Sequence, residues 1–412
     1  MLYDGRKSRR ERSDSVLGNR FVKMILLSAL FLQFGIWVRN IAVLFYVKKM
    51  TNDDAFAVSL ISVAEFAPIF LFAMIGGTFA DRWRPKITMV WCDLLSAGSI
   101  VAVLLAMEYG SWRAVFFVTM VSAILSQFSQ PSGLKLFKQH VPEHLLQKGM
   151  SGYQTLISVF MIFGPTVGTF VYQSYGIETS IGVMGFAFLL SAAALAFMPR
   201  DRQDEGARRQ AHIREDLKAG FRYVRSNRVL RRLGGSFVAV GLGLGLIQPT
   251  AVFLITERLG KPEAYLQWFL LANGAAILIG GALAMSFSGK LPAQKLLAFG
   301  IAANGLAIIA MGLATNYWIA LVCQFIAGLV FPCINIGLGT LMLRNTDQSY
   351  VGRVNGILNP LFTGSMVLTM MLSGVLKNVF SLVPLYMLAG FGMLVGVLLL
   401  VPLFQLKEGY QA

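Results

Sequence analysis

Twelve apolar runs, each of about 20 residues, recur along this 412-residue chain, and no other feature constrains its fold as tightly. They fall near residues 21–47, 57–80, 86–107, 114–136, 151–175, 180–198, 232–256, 264–287, 293–314, 317–342, 351–377 and 382–404. Wound as an α-helix, a run of that length matches the hydrocarbon thickness of a bilayer, and in lipid only helices or closed barrels satisfy their own backbone groups. With 56% hydrophobic and 14% charged residues, the chain is too apolar for a soluble protein of this size. The expected fold is all-α and polytopic, with twelve transmembrane helices embedded in a lipid bilayer.

The net charge of +16 would suggest a nucleic-acid partner in a soluble protein, but its placement argues for topology, and no nucleic acid is expected here. With the N-terminus in the cytoplasm, twenty-nine of the 36 Lys and Arg fall on the inner side and six outside, with Arg39 inside the first span. The asymmetry predicts that both termini are cytoplasmic and that the chain sits in the inner (cytoplasmic) membrane. Arg6, Lys7, Arg9, Arg10 and Arg12 precede a first span too long for a cleaved signal peptide. Cys92, Cys323 and Cys333 all lie inside spans, where apolar packing is their expected role. His140, His144 and His212 fall in loops without a Cys or paired carboxylate at ligand spacing, so no metal site is expected. A nucleotide-binding Gly-x-x-x-x-Gly-Lys-Ser/Thr run is absent, since Gly289-Lys290 is followed by Leu291, and no nucleophile, histidine and acid share a compartment. Neither an enzyme nor a bound cofactor is expected.

The only long hydrophilic interior segment divides the spans six and six. The expected organisation is a basic tail (1–20), a six-helix bundle (21–198), a cytoplasmic linker (199–231), a second six-helix bundle (232–406) and a tail (407–412). Within the linker, Ile213, Leu217, Phe221 and Val224 share a helical face while Arg214, Lys218, Arg222, Arg225 and Arg228 occupy the rest, which predicts a basic amphipathic helix at the inner interface. When the halves are overlaid with a shift of 204 residues, Gly76 and Gly77 fall on Gly280 and Gly281, Lys86 on Lys290, and Ser151-Gly152 on Asn355-Gly356. Four matches on one offset, all at inner ends of spans, point to a duplicated unit of two pseudo-symmetric bundles. The copies diverge at Asp81 and Arg82, which align with Met285 and Ser286.

Gly77-x-x-x-Asp81-Arg82-x-x-x-Lys86 between the second and third spans resembles the loop signature of the major facilitator superfamily, with Arg84 standing where that signature has a second glycine. Gly164-Pro165-x-x-Gly168 in the fifth span is similar to the core of the superfamily's antiporter signature, with Thr169 in place of its final glycine. Lys86-Ile87 through Asp93-Leu94, Ile213-Arg214-Glu215 through Gly220, and Tyr350-Val351-Gly352-Arg353-Val354 look like the macrolide-efflux, drug:proton antiporter branch. The resemblance implies the major facilitator fold, alternating access by two rocking bundles, and a cytoplasmic gate loop made of Gly77, Asp81, Arg82, Arg84 and Lys86.

Charged groups at membrane depth are costly and are functional candidates by default. Arg39 and Glu65 lie at matching depths on neighbouring antiparallel spans and are expected to be able to pair, with Glu65 as a candidate proton acceptor. Asp93, two helical turns beyond Lys86 on the same face, is expected to find basic partners in the gate loop. In the superfamily, spans 1, 4, 7 and 10 line the cavity, which singles out Gln33, Asn40, Gln127, Gln248 and Asn335 as polar contacts and Phe34, Trp37, Phe253 and Phe331 as apolar walls. The function expected is proton-coupled export of amphipathic small molecules such as drugs or macrolides by a monomer. The alternatives are export or flipping of an anionic siderophore or lysolipid-like substrate, with Arg39 as the anion contact, and a membrane sensor that does not transport.

Overall fold

The computed structural model describes residues 19–82, 84–108, 112–141, 143–198, 213–288 and 291–403, and for 73–82, 106–108, 130–131, 134, 140, 143–144, 213–214, 216 and 287–288 the backbone alone. Helices dominate: α1 (Arg20–Met50), α2 (Ala55–Arg82), α3 (Pro85–Glu108), α4 (Trp112–His140), α5 (Glu143–Ala196), α6 (Ile213–Ser226), α7 (Arg228–Ile247), α8 (Tyr265–Ser288), α9 (Ala293–Leu313), α10 (Tyr317–Arg344), α11 (Val351–Phe380) and α12 (Leu382–Leu400). Among the described residues, eleven helices are long and apolar enough to cross a membrane. One of them, α5, carries two of the twelve spans. It is broken at Gly176, whose φ of 76° and ψ of −177° lie outside the range of L side chains. The glycine therefore ends one crossing and begins the next without an intervening loop.

Span ends follow local chemistry. Asn19 opens α1 by accepting from the amides of Phe21 and Val22, and Asn227 opens α7 by accepting from Val229 and Leu230. The predicted seventh span, 232–256, is not one helix. It stops at Ile247, turns through Gln248-Pro249-Thr250, and resumes as Ala251–Phe253 and a π-helical Leu254–Arg258. Pro249 supplies the reason, because it has no N–H to donate and its ring crowds the carbonyl four residues back. The turn between α1 and α2 places Asn52 and Asp53 at φ 51° and 66°, the left-handed region that Asn and Asp tolerate best after glycine.

The chain divides into two compact units. The first holds the described residues of 1–47 and 71–211, and the second holds those of 48–70 and 212–412. A core of the first unit gathers the start of α1 and of α3, the end of α4 and both ends of α5: Val22 and Ile25 of α1, Met89 of α3, Leu136 and Phe137 of α4, and Leu145 and Leu195 of α5. In the second unit, glycines let helix backbones approach closely. A Cβ at Gly241 or Gly245 of α7 would strike the backbone of α11, one at Gly280 of α8 would strike Leu329 of α10, and one at Gly337 of α10 would strike Leu297 of α9. Lipid offers helices no hydrophobic reason to associate, so such small-residue seams carry the packing. Gly280 thus has a structural reason to be glycine.

Gly176 generates a test. Its Cβ position is open, so alanine there meets only the conformational penalty, about 1–3 kcal/mol for a residue held in that region. Gly176→Ala is expected to lower the thermal unfolding midpoint in detergent, whereas Gly182→Ala, equally open but helical, should leave it unchanged or higher.

Candidate functional site

In the first unit, the buried Arg39 of α1 reaches across to α4 and donates from Nη1 to Ser122 Oγ at 2.8 Å, while its Nε and Nη2 donate to Asn40 Oδ1 at 3.0 and 2.9 Å. A narrow crevice borders it, lined by Val43, Ile100, Val115, Thr119 and Met184. The Gly164-Pro165-x-x-Gly168 stretch of α5 packs against the same part of α1. A Cβ at Gly164 would overlap the Trp37 indole, and one at Gly168 would lie 2.7 Å from the Trp37 carbonyl oxygen and 3.0 Å from Ile41. The antiporter-like glycines therefore clamp the turn of α1 that carries Arg39. Glu65, half-buried on α2, belongs to the second unit.

Asp93 of α3 is 3% exposed. Its Oδ2 accepts from Ser191 Oγ of α5 at 2.6 Å, and Ser191 Oγ lies 2.8 Å from Ser28 Oγ of α1. Three helices are thus joined by one carboxylate and two hydroxyls. Among the described residues no base touches Asp93, and the side chain of Arg82, one of the expected basic partners, lies outside them. Lys86 instead donates to the carbonyls of Ala196 and Met198. A cation at the carbonyl end of a helix complements the dipole there. Asp93 and Lys86 do share a face, as their spacing requires, and both face the second limb of α5. Gly77, Asp81 and Arg82 of the gate loop have side chains outside the described residues, as do the tails 1–18 and 404–412 and the linker stretch 199–212, while Arg84 is exposed.

The expected cavity residues fall in both units. Gln33, Phe34, Trp37 and Asn40 are half-buried on α1, as is Gln127 on α4, whose amide donates to the Ala123 carbonyl of its own helix. In the second unit Gln248 and Asn335 are exposed and Phe331 is half-buried. Phe253 is fully buried, with Lys377 Nζ 4.5 Å and Lys48 Nζ 6.0 Å from its ring centroid. Lys377 binds Glu257 Oε1 at 2.6 Å, and Lys48 binds Asp53 and lies 3.9 Å from Glu263. Two ammonium groups, three carboxylates and one aromatic ring thereby join the 48–54 turn to the ends of the seventh and eleventh spans. Burial raises the Glu263 carboxyl above its ordinary value, Lys48 pulls it back, Asp53 raises it and Lys49 lowers it. Sequence reasoning missed this cluster, although opposite charges at span ends on one predicted side of the membrane were a usable signal. Ser28 and Ser191 carried no such signal, being single hydroxyls in apolar runs.

On the inner side of the second unit, two of the branch-like stretches meet. Gly220 of α6 approaches Arg353 of α11 so closely that a Cβ would lie 2.9 Å from its carbonyl oxygen. Tyr223 stacks on Tyr350 at 4.5 Å and donates to Asp347 Oδ2 at 3.1 Å, and the Arg353 guanidinium lies over Tyr350 at 5.0 Å.

The fold and these buried polar groups define a multi-pass helical membrane protein of the transporter type. The model of the Major Facilitator Superfamily matches residues 25–254, more than half of the chain, and the protein belongs to that family. It is 26% identical over 373 residues to the MFS-type transporter YkuC of Bacillus subtilis (strain 168), covering 88% of this chain and 86% of the relative. It is 25% identical over 342 residues to the multidrug efflux pump Tap of Mycobacterium tuberculosis (strain ATCC 25618 / H37Rv), covering 78% of each. The solved nucleoside transporter NupG superposes with a TM-score of 0.77 at 12% identity over 94% of this chain and 100% of that one, a likeness of fold.

Two outcomes follow. Gly164→Ala should destabilise by about 1–3 kcal/mol through overpacking, and Trp37→Ala in the same chain should relieve part of that loss in thermal unfolding. For Glu263, a raised carboxyl favours the folded cluster while protonated, so its contribution is present at low pH and is lost as pH rises through the shifted range. Glu263→Gln should therefore flatten the fall of the thermal midpoint between pH 4.5 and neutral; a pH profile parallel to wild type would contradict the assignment.

Proposed function

We propose that this protein is a proton-coupled exporter of amphipathic small molecules, working as a monomer by alternating access, with both termini in the cytoplasm. The observation that carries the reading is the Asp93–Ser191–Ser28 chain. A proton carrier needs a carboxylate that exists in two protonation states without unfolding its surroundings. Here the charged form accepts from Ser191, and the neutral form can donate back to the same hydroxyl, which can turn to Ser28. Burial without a counter-charge makes the charged form costly. Whatever changes the water access of this site therefore changes its proton occupancy, which is the physical requirement for coupling.

The apolar half-buried walls of α1, Phe34 and Trp37, together with Gln33, Asn40 and Gln127, suit a lipophilic substrate that asks for few hydrogen bonds. The 25% identity to a multidrug efflux pump supports the same direction and substrate class. Energy comes from the proton gradient, with no bound cofactor. In this reading the gate loop latches the inner side through Asp81 and the lysine-carboxylate cluster around Phe253 holds the outer side, so each must release in its turn of the cycle. Glu65 remains the second proton candidate.

A second reading, export of an anionic siderophore or lysolipid-like molecule, is favoured by the buried guanidinium of Arg39 beside an apolar crevice. Arg39→Ala would then abolish binding of an anionic substrate that Glu65→Gln retains.

The test of the main reading is proton-driven efflux of ethidium or a macrolide from everted membrane vesicles. Asp93→Asn keeps the shape and one hydrogen bond but cannot exchange a proton. It is expected to lose gradient-driven transport while retaining downhill substrate exchange and a near wild-type thermal midpoint. Undiminished gradient-driven efflux in that variant would remove Asp93 from the mechanism.

A further inference from the structure

The amphipathic linker helix α6 does not use its apolar face on the membrane. Gly220 and Val224 are buried and Leu217 and Tyr223 half-buried, and this side packs on α11 and the 345–350 turn. At about 100° per residue, these four lie within roughly one third of the helix circumference. The opposite arc, about 100° wide by the same rule, carries Lys218, Phe221, Arg222 and Arg225, all exposed. Phe221 is 56% exposed although it belongs to the predicted apolar face. Arg228 and Arg231 continue the basic strip into the first turns of α7, and Glu215 is the acid at its edge. Among the described residues, none of these five bases is engaged by a carboxylate of the protein.

Position decides what such a face meets. α6 ends at Ser226 and the membrane-crossing α7 begins at Arg228, with Asn227 between them bonded to the Asn345 carbonyl. Gly220 lies against Arg353, in the first turn of α11, which also crosses. The helix is therefore level with the ends of two spans, at headgroup depth. An exposed aromatic ring amid unpaired bases at that depth complements an anionic surface with an apolar layer behind it.

We propose that the Lys218–Phe221–Arg222–Arg225 face of α6 is a docking surface for anionic phospholipid headgroups of the inner leaflet, with Phe221 inserted among the acyl chains. The bases hold the phosphates electrostatically, and the packing of Gly220 and Tyr223 on α11 makes that attachment rigid. The proposal is independent of which substrate is carried and of how transport is energised.

The test titrates purified full-length protein in mixed micelles with phosphatidylglycerol or phosphatidylcholine and follows the thermal midpoint, with bound lipid counted by native mass spectrometry. Wild type should gain stability from phosphatidylglycerol in preference to phosphatidylcholine, and the gain should shrink at high salt. Lys218→Gln/Arg222→Gln/Arg225→Gln should weaken apparent phosphatidylglycerol affinity on the order of tenfold or more. Phe221→Ser should weaken it without changing the salt dependence. A matched control at three other exposed lysines of the predicted inner side, Lys138→Gln/Lys148→Gln/Lys295→Gln, should retain wild-type affinity. Equal loss in both triple variants, no loss in either, or equal stabilisation by inorganic phosphate would overturn the assignment. No outcome depends on transport, so failure here is separable from failure of the exporter reading.

Discussion

A carboxylate two helical turns inside an apolar helix must be accommodated without water, and the first unit is built around how that is done. Asp93 takes a hydroxyl from Ser191, which in turn meets Ser28, so α1, α3 and the second limb of α5 are tied together by the group that is hardest to bury. The lysine one face-repeat earlier does not neutralise it but binds the carbonyls that end α5. Separating the two charges in this way leaves the carboxylate held by hydroxyls alone, the arrangement that the proposed proton exchange requires. A direct ion pair would have locked it, because breaking a buried pair leaves both charges uncompensated.

Close packing without large side chains is the second principle of the structure, and it also serves the site. Gly164 and Gly168 bring α5 against Trp37 and Ile41, which flank Arg39 in α1, so the guanidinium is held at a fixed height facing Ser122. In the second unit Gly241, Gly245, Gly280 and Gly337 do the same for helix pairs that carry no buried charge. Charged groups there gather at the ends instead, around Phe253 at one side and beside Tyr223 and Tyr350 at the other, while interior contacts such as Asn304 to the Ala327 carbonyl are uncharged.

Much of this was legible in the chain. Hydropathy located the crossings because the bilayer imposes a length on every span, and the predicted 86–107 and 293–314 differ by a residue or so from α3 and α9. The break at Gln248-Pro249-Thr250 was announced by its proline but hidden by the apolar run around it. The functional residues divide by kind. Asp93, Arg39 and the antiporter-like glycines stood out because charge and paired glycines are conspicuous in an apolar run. Their partners did not, since Ser191 lies 98 residues from Asp93 and hydroxyls are commonplace in membrane helices. Phe221 shows the limit of periodicity: it lies at the edge of the apolar arc, and only the position of α11 decides that Gly220 and Val224 face the protein while it faces outward.

In the exporter proposed above, substrate and proton movements are linked in opposite directions through one protein. The direct measurement uses proteoliposomes containing the purified protein, loaded with ethidium and the pH indicator pyranine, and diluted into dye-free buffer with the membrane potential clamped. Ethidium leaving down its gradient should acidify the lumen as protons enter in exchange, and protein-free liposomes should not acidify. Ethidium efflux catalysed by the protein with no change in luminal pH would contradict proton coupling, and absence of catalysed efflux would contradict the assignment of an amphipathic substrate.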